Sequence, residues 1–322
     1  MTAALGSIST PWLALGTVRA LRDGADIGFA SMARIAIIGG GSMGEALLAG
    51  LLRSGRQVKD LVVSERMPDR AKYLAETYSV QVAEVGDAAE HANFVVIAVK
   101  PTDVEQILDE VAEAAAKADA DSAEQVFVSV AAGVPTSLFE AKLPAGSPVV
   151  RVMPNTPALV GAGVSALAKG RFVTPEQLKG VADLFDCVGG VLTVAETQMD
   201  AVTAVSGSGP AYFFLMVEAM VDAGVAAGLS RPVATDLVVQ TMAGSAAMLL
   251  DRLDNARRPD ADGAVPAGVD TTAAQLRATV TSPGGTTAAG LRELERGGLR
   301  ATVAEAVFAA KTRSEQLGIT TE

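Results

Sequence analysis

The fold is decided by the stretch Arg34-Ile35-Ala36-Ile37-Ile38-Gly39-Gly40-Gly41-Ser42-Met43-Gly44. Its apolar start predicts a buried strand, and Met43–Arg53 after the glycines predicts a helix. The glycines fit the spacing G-x-G-x-x-G, in which Gly39 permits a tight turn, Gly41 lets the backbone approach a pyrophosphate, and Gly44 lets helix and strand pack closely. Free N–H groups at the helix start would then face the anion. The pattern alone is compatible with a mere tight turn, but after a strand and before a helix it indicates dinucleotide binding.

Beyond this unit, short β-branched runs alternate with helical patterns, as in βαβ units of a parallel sheet. Further strands are predicted at Leu61–Ser64, Val80–Val82, Phe94–Ala98, Val126–Val130, Val149–Arg151, Val164–Ala168 and Val191–Val194. Further helices are predicted at Pro68–Thr77, at Val104–Ala116 and from Pro175 onward. Nearly continuous apolar strands are typical of a sheet covered by helices on both faces. We therefore expect a doubly wound, mostly parallel α/β Rossmann domain over residues 32–195.

The pattern changes near Glu196, after which almost only helix is predicted. Long helical segments are predicted at Pro210–Ala227, at Pro232–Leu253 and within Leu291–Gln316, where one or two helices fit. Residues 212–217 and 243–250 are apolar nearly all round, and a helix without a polar face is buried on all sides. We expect an all-α domain over residues 196–322 that dimerises, with a monomeric bundle as the alternative. The Asp, Arg, Pro and Gly residues of Asp254–Gly268 predict a mobile surface loop.

Composition excludes several classes of function. Of the 322 residues, 49% are hydrophobic and 20% charged, which excludes a disordered chain. The net charge of −11 makes binding to nucleic acid or an anionic membrane unfavourable. A single cysteine, Cys187, and a single histidine, His91, exclude a disulfide framework and a multi-ligand zinc site, so no metal is expected. No stretch contains enough consecutive apolar residues to predict a membrane-spanning helix. Residues 1–31 are predicted to be a disordered extension.

The end of the second strand carries Ser64-Glu65-Arg66, about 20 residues after the glycines. An acid at this place usually binds the ribose of NAD, whereas an arginine accommodates the 2′-phosphate of NADP. We expect Ser64 and Arg66 to hold a phosphate while Glu65 turns to solvent, with Arg70 one helical turn later. This favours NADPH, with NADH also possible; a solvated strand end without a ligand is the alternative.

Two further strand ends are predicted to line the ligand crevice, because that crevice lies at the carboxyl ends of parallel strands. The fourth strand runs into Ala98-Val99-Lys100-Pro101, where proline cannot continue the strand and holds Lys100 at the rim. The fifth runs into Ala131-Ala132-Gly133, whose small side chains would let a nicotinamide lie close to the backbone. An edge charge at Lys100 without a ligand is the alternative.

Three further motifs give the chain a family resemblance. They are Arg151-Val152-Met153-Pro154-Asn155-Thr156-Pro157, Ser206-Gly207-Ser208-Gly209-Pro210-Ala211-Tyr212 and Val280-Thr281-Ser282-Pro283-Gly284-Gly285-Thr286-Thr287. Together with the features above, they resemble the motifs of pyrroline-5-carboxylate reductase, in the same order and over about residues 32–317 of the chain. The Ser-Pro-Gly-Gly-Thr-Thr segment is the most specific of them.

The resemblance implies NAD(P)H-dependent reduction of 1-pyrroline-5-carboxylate to L-proline by a cytoplasmic homodimer, formed through the helical domain, that could join a larger ring of dimers. It implies cofactor contacts at Gly39, Gly41, Ser42, Met43, Gly44, Ser64, Glu65, Arg66, Ala98, Val99, Lys100, Pro101, Ala132 and Asn155. It implies substrate contacts at Glu196, Ser282, Gly284, Gly285, Thr286 and Thr287. The chain departs from many members in having Val85 where they carry asparagine, which puts one adenosine contact in doubt.

The segment Ser282–Thr287 also suggests a carboxylate site from its residues alone. A glycine-rich turn at the start of a helix presents backbone N–H groups that bind anions; a plain helix cap is the alternative. Hydride transfer to a protonated cyclic imine needs close approach and exclusion of water more than a histidine acid. As the one catalytic side chain we predict Thr287, whose hydroxyl would hydrogen-bond the ring nitrogen.

Two other functions remain open from the sequence. A β-hydroxyacid dehydrogenase with a similar domain plan would need a lysine in the helical domain, but none lies between Lys179 and Lys311. A non-catalytic dimer that binds a nucleotide would lack turnover altogether.

Overall fold

The computed structural model describes residues 33–117, 125–257 and 272–319. The predicted extension at residues 1–31 and residues 258–268 of the predicted loop lie outside these ranges. The described chain divides into two compact units. The first contains residues 33–207 and 311–319, and the second contains residues 208–310.

The first unit is built on an eight-stranded sheet with the order β3-β2-β1-β4-β5-β6-β7-β8. The strands are β1 Ile35–Ile38, β2 Leu61–Ser64, β3 Gln81–Val82, β4 Phe94–Ile97, β5 Val126–Ser129, β6 Val149–Met153, β7 Gly163–Lys169 and β8 Gly189–Thr193. All neighbouring strands are parallel except β6 and β7, which are antiparallel. The first six strands have the order of a dinucleotide-binding sheet. The predicted Rossmann fold class and all eight predicted strands are therefore confirmed.

The helices of this unit cover both faces of the sheet. They are α1 Ser42–Arg53, α2 Pro68–Tyr78, α3 Val85–Ala89, α4 Val104–Lys117, α5 Thr136–Lys142, α6 Pro175–Phe185 and α7 Met199–Val202. Side chains alternate between the faces of a strand, so Ile35 and Ile37 pack with one core cluster while Ala36 and Ile38 pack with the other. The short helices α3, α5 and α7 were not predicted, because each is shorter than the span over which helical periodicity can be recognised.

The second unit is helical, as predicted. It contains α8 Gly209–Ala226, α9 Arg231–Arg257, α10 Thr272–Thr279 and α11 Thr286–Arg296, and most of α12 Leu299–Ile319. The prediction of a loop from Asp254 was wrong for residues 254–257, which form the last turn of α9. Asp254 and Asn255 suit a solvated helix end as well as a loop, so polarity alone placed the start of the loop too early.

The apolar side chains of α8 and α9 are largely exposed in the single chain. Phe213, Phe214 and Leu215 of α8 keep 63%, 62% and 66% of their surface accessible, and Leu237 and Leu250 of α9 are also exposed. A contiguous apolar face of this kind marks an interaction surface. These helices are therefore not buried within one chain, which agrees with the expectation that dimerisation buries them.

Two helical stretches of the described residues are long and apolar enough to cross a membrane by length and composition, Glu196–Ala226 and Arg231–Asn255. The expectation that no such stretch exists was wrong, because scattered glycine, proline and polar residues do not bring the mean hydropathy of these stretches low enough. Dimerising helices pass the same test, since they too leave an apolar surface on the single chain.

Candidate functional site

Three glycines in the turn between β1 and α1 are each required for a different geometric reason. Gly39 adopts a φ of +104°, donates its N–H to the Ser64 carbonyl at 2.8 Å, and approaches the chain so closely that a Cβ would lie 2.6 Å from the carbonyl oxygen of Ala98. A Cβ on Gly44 would overlap the carbonyl oxygen of Gly39. At Gly41, by contrast, nothing lies within 4 Å of the Cβ position. This open space beside the first turn of α1 fits a phosphate group, since the first N–H groups of a helix have no partner within the helix.

Glu65 follows β2 and turns toward this glycine turn. Its Oε2 accepts a hydrogen bond from the Gly40 N–H at 2.9 Å, and its Oε1 accepts one from the Met67 N–H at 2.8 Å. The expectation that Glu65 turns to solvent was therefore wrong. The reason is that charge-assisted hydrogen bonds to two backbone donors are stronger than neutral ones. Ser64, also expected to hold a phosphate, is buried.

The two arginines near Glu65 are engaged differently. Arg66 has a side chain that is 75% exposed, with the Asp103 carboxylate 3.9 Å away. Arg70 donates from Nε to the Gly40 carbonyl at 2.8 Å, forms an ion pair with Glu45, and stands 5.0 Å from the ring centre of Tyr73. Arg66 is therefore the cation free to reach a ligand, whereas Arg70 supports the turn.

Glu45, on α1, also accepts hydrogen bonds from Tyr78 at 2.8 Å and Tyr73 at 3.1 Å. Burial alone would raise the pKa of Glu45, but the hydrogen bonds from Arg70, Tyr78 and Tyr73 together lower it. Burial, with the Glu45 contact, raises the pKa of Tyr78 to about 12. This cluster was not predicted from the sequence, because its members lie on two helices and share no local sequence pattern.

The ends of β4 and β5 lie beside the glycine turn, because β4 neighbours β1 and all three strands are parallel. Ala98 extends the ladder by donating to the Ile38 carbonyl at 2.7 Å, and Lys100 is exposed just before the 3₁₀ turn Pro101–Asp103. After β5, Ala132 is half-buried. The structure therefore brings the expected cofactor positions of these strands to one edge of the sheet.

Asn155 is an expected cofactor position whose side chain forms two hydrogen bonds within the chain. Its Oδ1 accepts from the Val164 N–H at 2.9 Å, and its Nδ2 donates to the Ser206 carbonyl at 3.2 Å. It thereby ties the start of β7 to the π-helical turn Thr203–Gly207.

Glu196, expected at the substrate, is bound by Thr136 and Arg151 of the first unit. Its Oε1 accepts from the Thr136 N–H at 2.7 Å and its Oε2 accepts from the Thr136 hydroxyl at 2.6 Å. The Arg151 guanidinium lies 3.7 Å from Oε1, and its side chain is only 7% exposed. Burial lowers the pKa of Arg151, opposed by the nearby carboxylates of Glu196 and Asp200. Sequence reasoning missed the roles of Thr136 and Arg151, although a charged residue within a strand as buried as β6 was a usable signal.

The remaining expected substrate positions lie in the second unit, in the turn before α11. Gly285 donates its N–H to the Ser282 carbonyl at 3.0 Å, and Gly284 adopts a φ of +69°. Gly285 caps α11, so the first N–H groups of that helix follow the turn directly. Thr286 and Thr287 are exposed. The predicted glycine-rich turn directly before a helix is therefore confirmed.

Among the described residues, no group of three or more His, Cys, Asp or Glu side chains is arranged to hold a metal ion. His91 is exposed beside Glu90, and Cys187 packs at the edge of a core cluster with its Sγ 3.0 Å from the Leu184 carbonyl.

Two family models match separate parts of the chain. Residues 34–133 match the family described as NADP oxidoreductase coenzyme F420-dependent, and residues 196–317 match the family described as pyrroline-5-carboxylate reductase dimerisation. The second match begins where the all-helical domain is predicted to start, while the division between the compact units falls after residue 207.

Individual relatives match nearly the whole chain. A pyrroline-5-carboxylate reductase of Mycobacterium leprae is 71% identical over 91% of this chain and 99% of its own length, and one of Mycobacterium tuberculosis is 70% identical over 90% and 99%. Among solved structures, a pyrroline-5-carboxylate reductase from Coxiella burnetii matches with a TM-score of 0.78 and 33% identity, over 89% of this chain and 98% of that one. A pyrroline carboxylate reductase of Plasmodium falciparum, solved with NADP bound, matches with a TM-score of 0.73 and 29% identity, over 89% and 99%. The chain therefore belongs to the pyrroline-5-carboxylate reductase family.

Proposed function

We propose that the chain reduces 1-pyrroline-5-carboxylate to L-proline, the last step of proline synthesis, with NADPH as hydride donor and NADH as a second donor. The observation that carries this proposal is the 71% identity, over 91% of the chain, to a reductase of that name. The open space at Gly41 beside the start of α1 supports it, because a dinucleotide needs a place where its pyrophosphate can approach the backbone.

We assign the nucleotide to the sheet edge of the first unit. The N–H groups of Ser42, Met43 and Gly44 begin α1 and would bind the pyrophosphate. Arg66 is the exposed cation available to a 2′-phosphate. The small residues after β5, with Ala132 among them, would allow the nicotinamide to lie against backbone, and Asn155 would shape the wall through its two hydrogen bonds. When bound, the reduced nicotinamide supplies the hydride.

For the substrate, we assign the turn Ser282–Gly285 and the first residues of α11. The N–H groups of Thr286 and Thr287, which begin α11 and have no partner within the helix, would hold the carboxylate without an arginine, as oriented backbone amides do elsewhere. The hydroxyl oxygen of Thr287 would accept a hydrogen bond from the N–H of the protonated imine, which keeps the imine oriented and the proton on the nitrogen that becomes the amine. The hydride adds to the imine carbon, the C=N π pair moves to nitrogen, and the product is the saturated ring.

We also propose that two copies associate through the helical domain, and that such dimers can join into a ring in the cytoplasm. The exposed apolar face of α8 and α9 supports the dimer, because a second copy of the same face would cover it. The match of residues 196–317 to the dimerisation family supports the same assignment, with the functional domains divided before residue 196. The alternative is that the apolar face of α8 and α9 inserts into a membrane.

The decisive experiment mixes the purified full chain with 1-pyrroline-5-carboxylate and NADPH and follows the loss of reduced-nicotinamide absorbance, with L-proline measured chromatographically. We expect one proline for each NADPH oxidised. Binding of NADPH without turnover would instead indicate a non-catalytic nucleotide-binding dimer. Reduction of NADP⁺ by β-hydroxyacids, with no turnover of 1-pyrroline-5-carboxylate, would indicate the other dehydrogenase class.

The assembly is tested separately by light scattering after size exclusion in buffer without detergent. A dimer or a multiple of it is expected. A chain that stays in solution only with detergent would support the membrane alternative.

A further inference from the structure

The last turns of α12 pack within the first unit, although the helix begins in the second. Ser314 is 4% exposed, and its hydroxyl donates to the Asp200 carboxylate on α7 at 2.7 Å. One helical turn further along, Gly318 lies so close to the chain that a Cβ there would stand 2.8 Å from the Gly133 carbonyl oxygen. The end of α12 therefore contacts two separate segments of the first unit.

Gly133 lies in the nicotinamide segment, the residues 131–136 that follow β5 and include Ala132. Its φ of +79° makes the backbone turn there. A Cβ on Gly133 would stand 3.4 Å from the Gly318 nitrogen, so the two backbones meet with no side chain between them. Ala131 and Val134 are 4% and 1% exposed, whereas Ala132 is half-buried. Ala132 is thus accessible to a ring, and α12 contacts the chain at the next residue.

The far end of the nicotinamide segment is held by Glu196. Its carboxylate accepts from the Thr136 N–H at 2.7 Å and from the Thr136 hydroxyl at 2.6 Å. Asp200 follows Glu196 by one helical turn, and both carboxylates act to raise the pKa of the Arg151 guanidinium, which burial lowers. The nicotinamide segment is therefore held at Gly133 by α12, and at Thr136 by a stretch of chain that α12 also holds.

The two ends of the dinucleotide are assigned to different parts of the first unit. The pyrophosphate is assigned to the N–H groups at the start of α1, and the nicotinamide to the segment around Ala132. A small displacement of the nicotinamide segment would therefore move the ring without removing the contacts of the other end. Hydride transfer is sensitive to such a displacement, because a misplacement of about 1 Å can slow a reaction by about 100-fold.

We propose that Ser314 and Gly318 are positioning residues for hydride transfer. Acting through Asp200 and Gly133, they fix the nicotinamide segment and thereby the placement of the ring that donates the hydride. This inference rests on the proposed function, because it concerns the reduced nicotinamide assigned to that segment.

The test compares Ser314→Ala with the wild-type full chain. Calorimetry gives the Kd of NADPH and of 2′-phospho-ADP-ribose, which is the same nucleotide without the nicotinamide. Stopped-flow absorbance gives the rate of hydride transfer to 1-pyrroline-5-carboxylate in a single turnover. We expect hydride transfer to be about tenfold slower and the Kd of the nicotinamide-free nucleotide to be unchanged. The fluorescence anisotropy of the bound reduced nicotinamide should fall, because the ring is held less firmly.

Gly318→Ala perturbs the same segment by adding an atom instead of removing a hydrogen bond. The new Cβ would stand 2.8 Å from the Gly133 carbonyl oxygen, so the chain must shift there, and we expect the same slower transfer with unchanged binding of the nicotinamide-free nucleotide. This variant keeps the proposal testable if the loss of the buried Ser314 hydrogen bond prevents folding.

Each variant has a matched control in the chain. Ser54→Ala removes a hydroxyl that donates to the Leu51 carbonyl at 2.8 Å, at the end of α1. Gly290→Ala adds a Cβ within α11 at a position where nothing lies within 4 Å. We expect wild-type rates and anisotropy from both controls.

Two results would overturn the proposal. One is a wild-type rate of hydride transfer in both Ser314→Ala and Gly318→Ala. The other is equal weakening of NADPH and of the nicotinamide-free nucleotide, since the end of α12 would then only hold the unit together. Failure of the proposed function is distinguishable from both: a wild-type chain that binds NADPH but forms no proline refutes that function, whereas the two Kd values and the anisotropy still test the positioning of the ring.

Discussion

Replacing Glu196 with glutamine removes the charge that joins α5, β6 and the residues before α7. Glutamine has a single acceptor oxygen, so only one of the two bonds from Thr136 is kept, and that one becomes neutral; hydrogen bonds to charged groups contribute about 1.5–3 kcal/mol. The buried Arg151 guanidinium also loses its nearest carboxylate. Breaking a fully buried ion pair costs about 3–5 kcal/mol. Only part of this cost applies here, because the two groups are 3.7 Å apart and the Glu196 side chain is 31% exposed. Because glutamine keeps one acceptor, we expect a loss of about 2 kcal/mol in the free energy of unfolding.

The assay is thermal unfolding followed by circular dichroism. A loss of this size lowers Tm by about 4–8 °C for a unit of this length. Glu176→Gln, an exposed carboxylate in the first turn of α6, is the control and should stay within about 0.5 kcal/mol of wild type.

A double-mutant cycle with Thr136→Val isolates the pair. We expect a coupling of about 1 kcal/mol between the two substitutions, within the range for residues in contact. A Glu196→Gln variant as stable as its control, or a coupling near zero, would refute the reasoning and return Glu196 to a role at the substrate alone.

Three further predictions concern other parts of the chain. Thr287→Ala should lower kcat/KM for 1-pyrroline-5-carboxylate by about 10- to 100-fold, the loss of one hydrogen bond to a charged group, and Thr287→Ser should restore most of it in steady-state kinetics. Because the pKa of Glu45 is lowered from its ordinary 4.5 in the folded state, its contribution to stability is present above pH 4.5 and disappears as the pH falls through the lowered pKa. In urea titrations at several pH values, Glu45→Gln should therefore reduce the loss of unfolding free energy at acid pH. Phe214→Asp on the exposed face of α8 should shift the chain to monomer in light scattering, whereas Glu218→Gln on the same helix should not.

The sheet could be predicted from the sequence because each strand is a short apolar run, and such runs are independent of distant residues. The helix start at the segment Ser282–Thr287 was also predicted, from its glycine-rich turn, and α11 begins there at Thr286. Residues 254–257 were misassigned, since a polar helix end and a polar loop have the same composition.

Side-chain contacts between distant segments could not be predicted. The turn of Glu65 toward Gly40 depends on the position of a backbone N–H that is 25 residues away in the chain. The hydrogen bonds from Thr136 to Glu196 join residues that are 60 positions apart in the chain, and no local sequence pattern predicts either partner. The sequence thus predicted which strand ends carry the site, but not which of their side chains are already bound by the chain itself.

The last part of α12 belongs to the first unit, where Ser314 is 4% exposed and donates to Asp200 at 2.7 Å. The backbone around Gly318 also lies against Gly133, since a Cβ on Gly318 would stand 2.8 Å from the Gly133 carbonyl oxygen. During synthesis, the ribosome therefore completes the strands of the sheet well before it supplies the end of α12 that packs against this unit, since Ser314 follows Asp200 by 114 residues. A fragment truncated at residue 207 would leave Asp200 without its hydroxyl donor, so recombinant expression of the nucleotide-binding half calls for a fusion that restores residues 311–319.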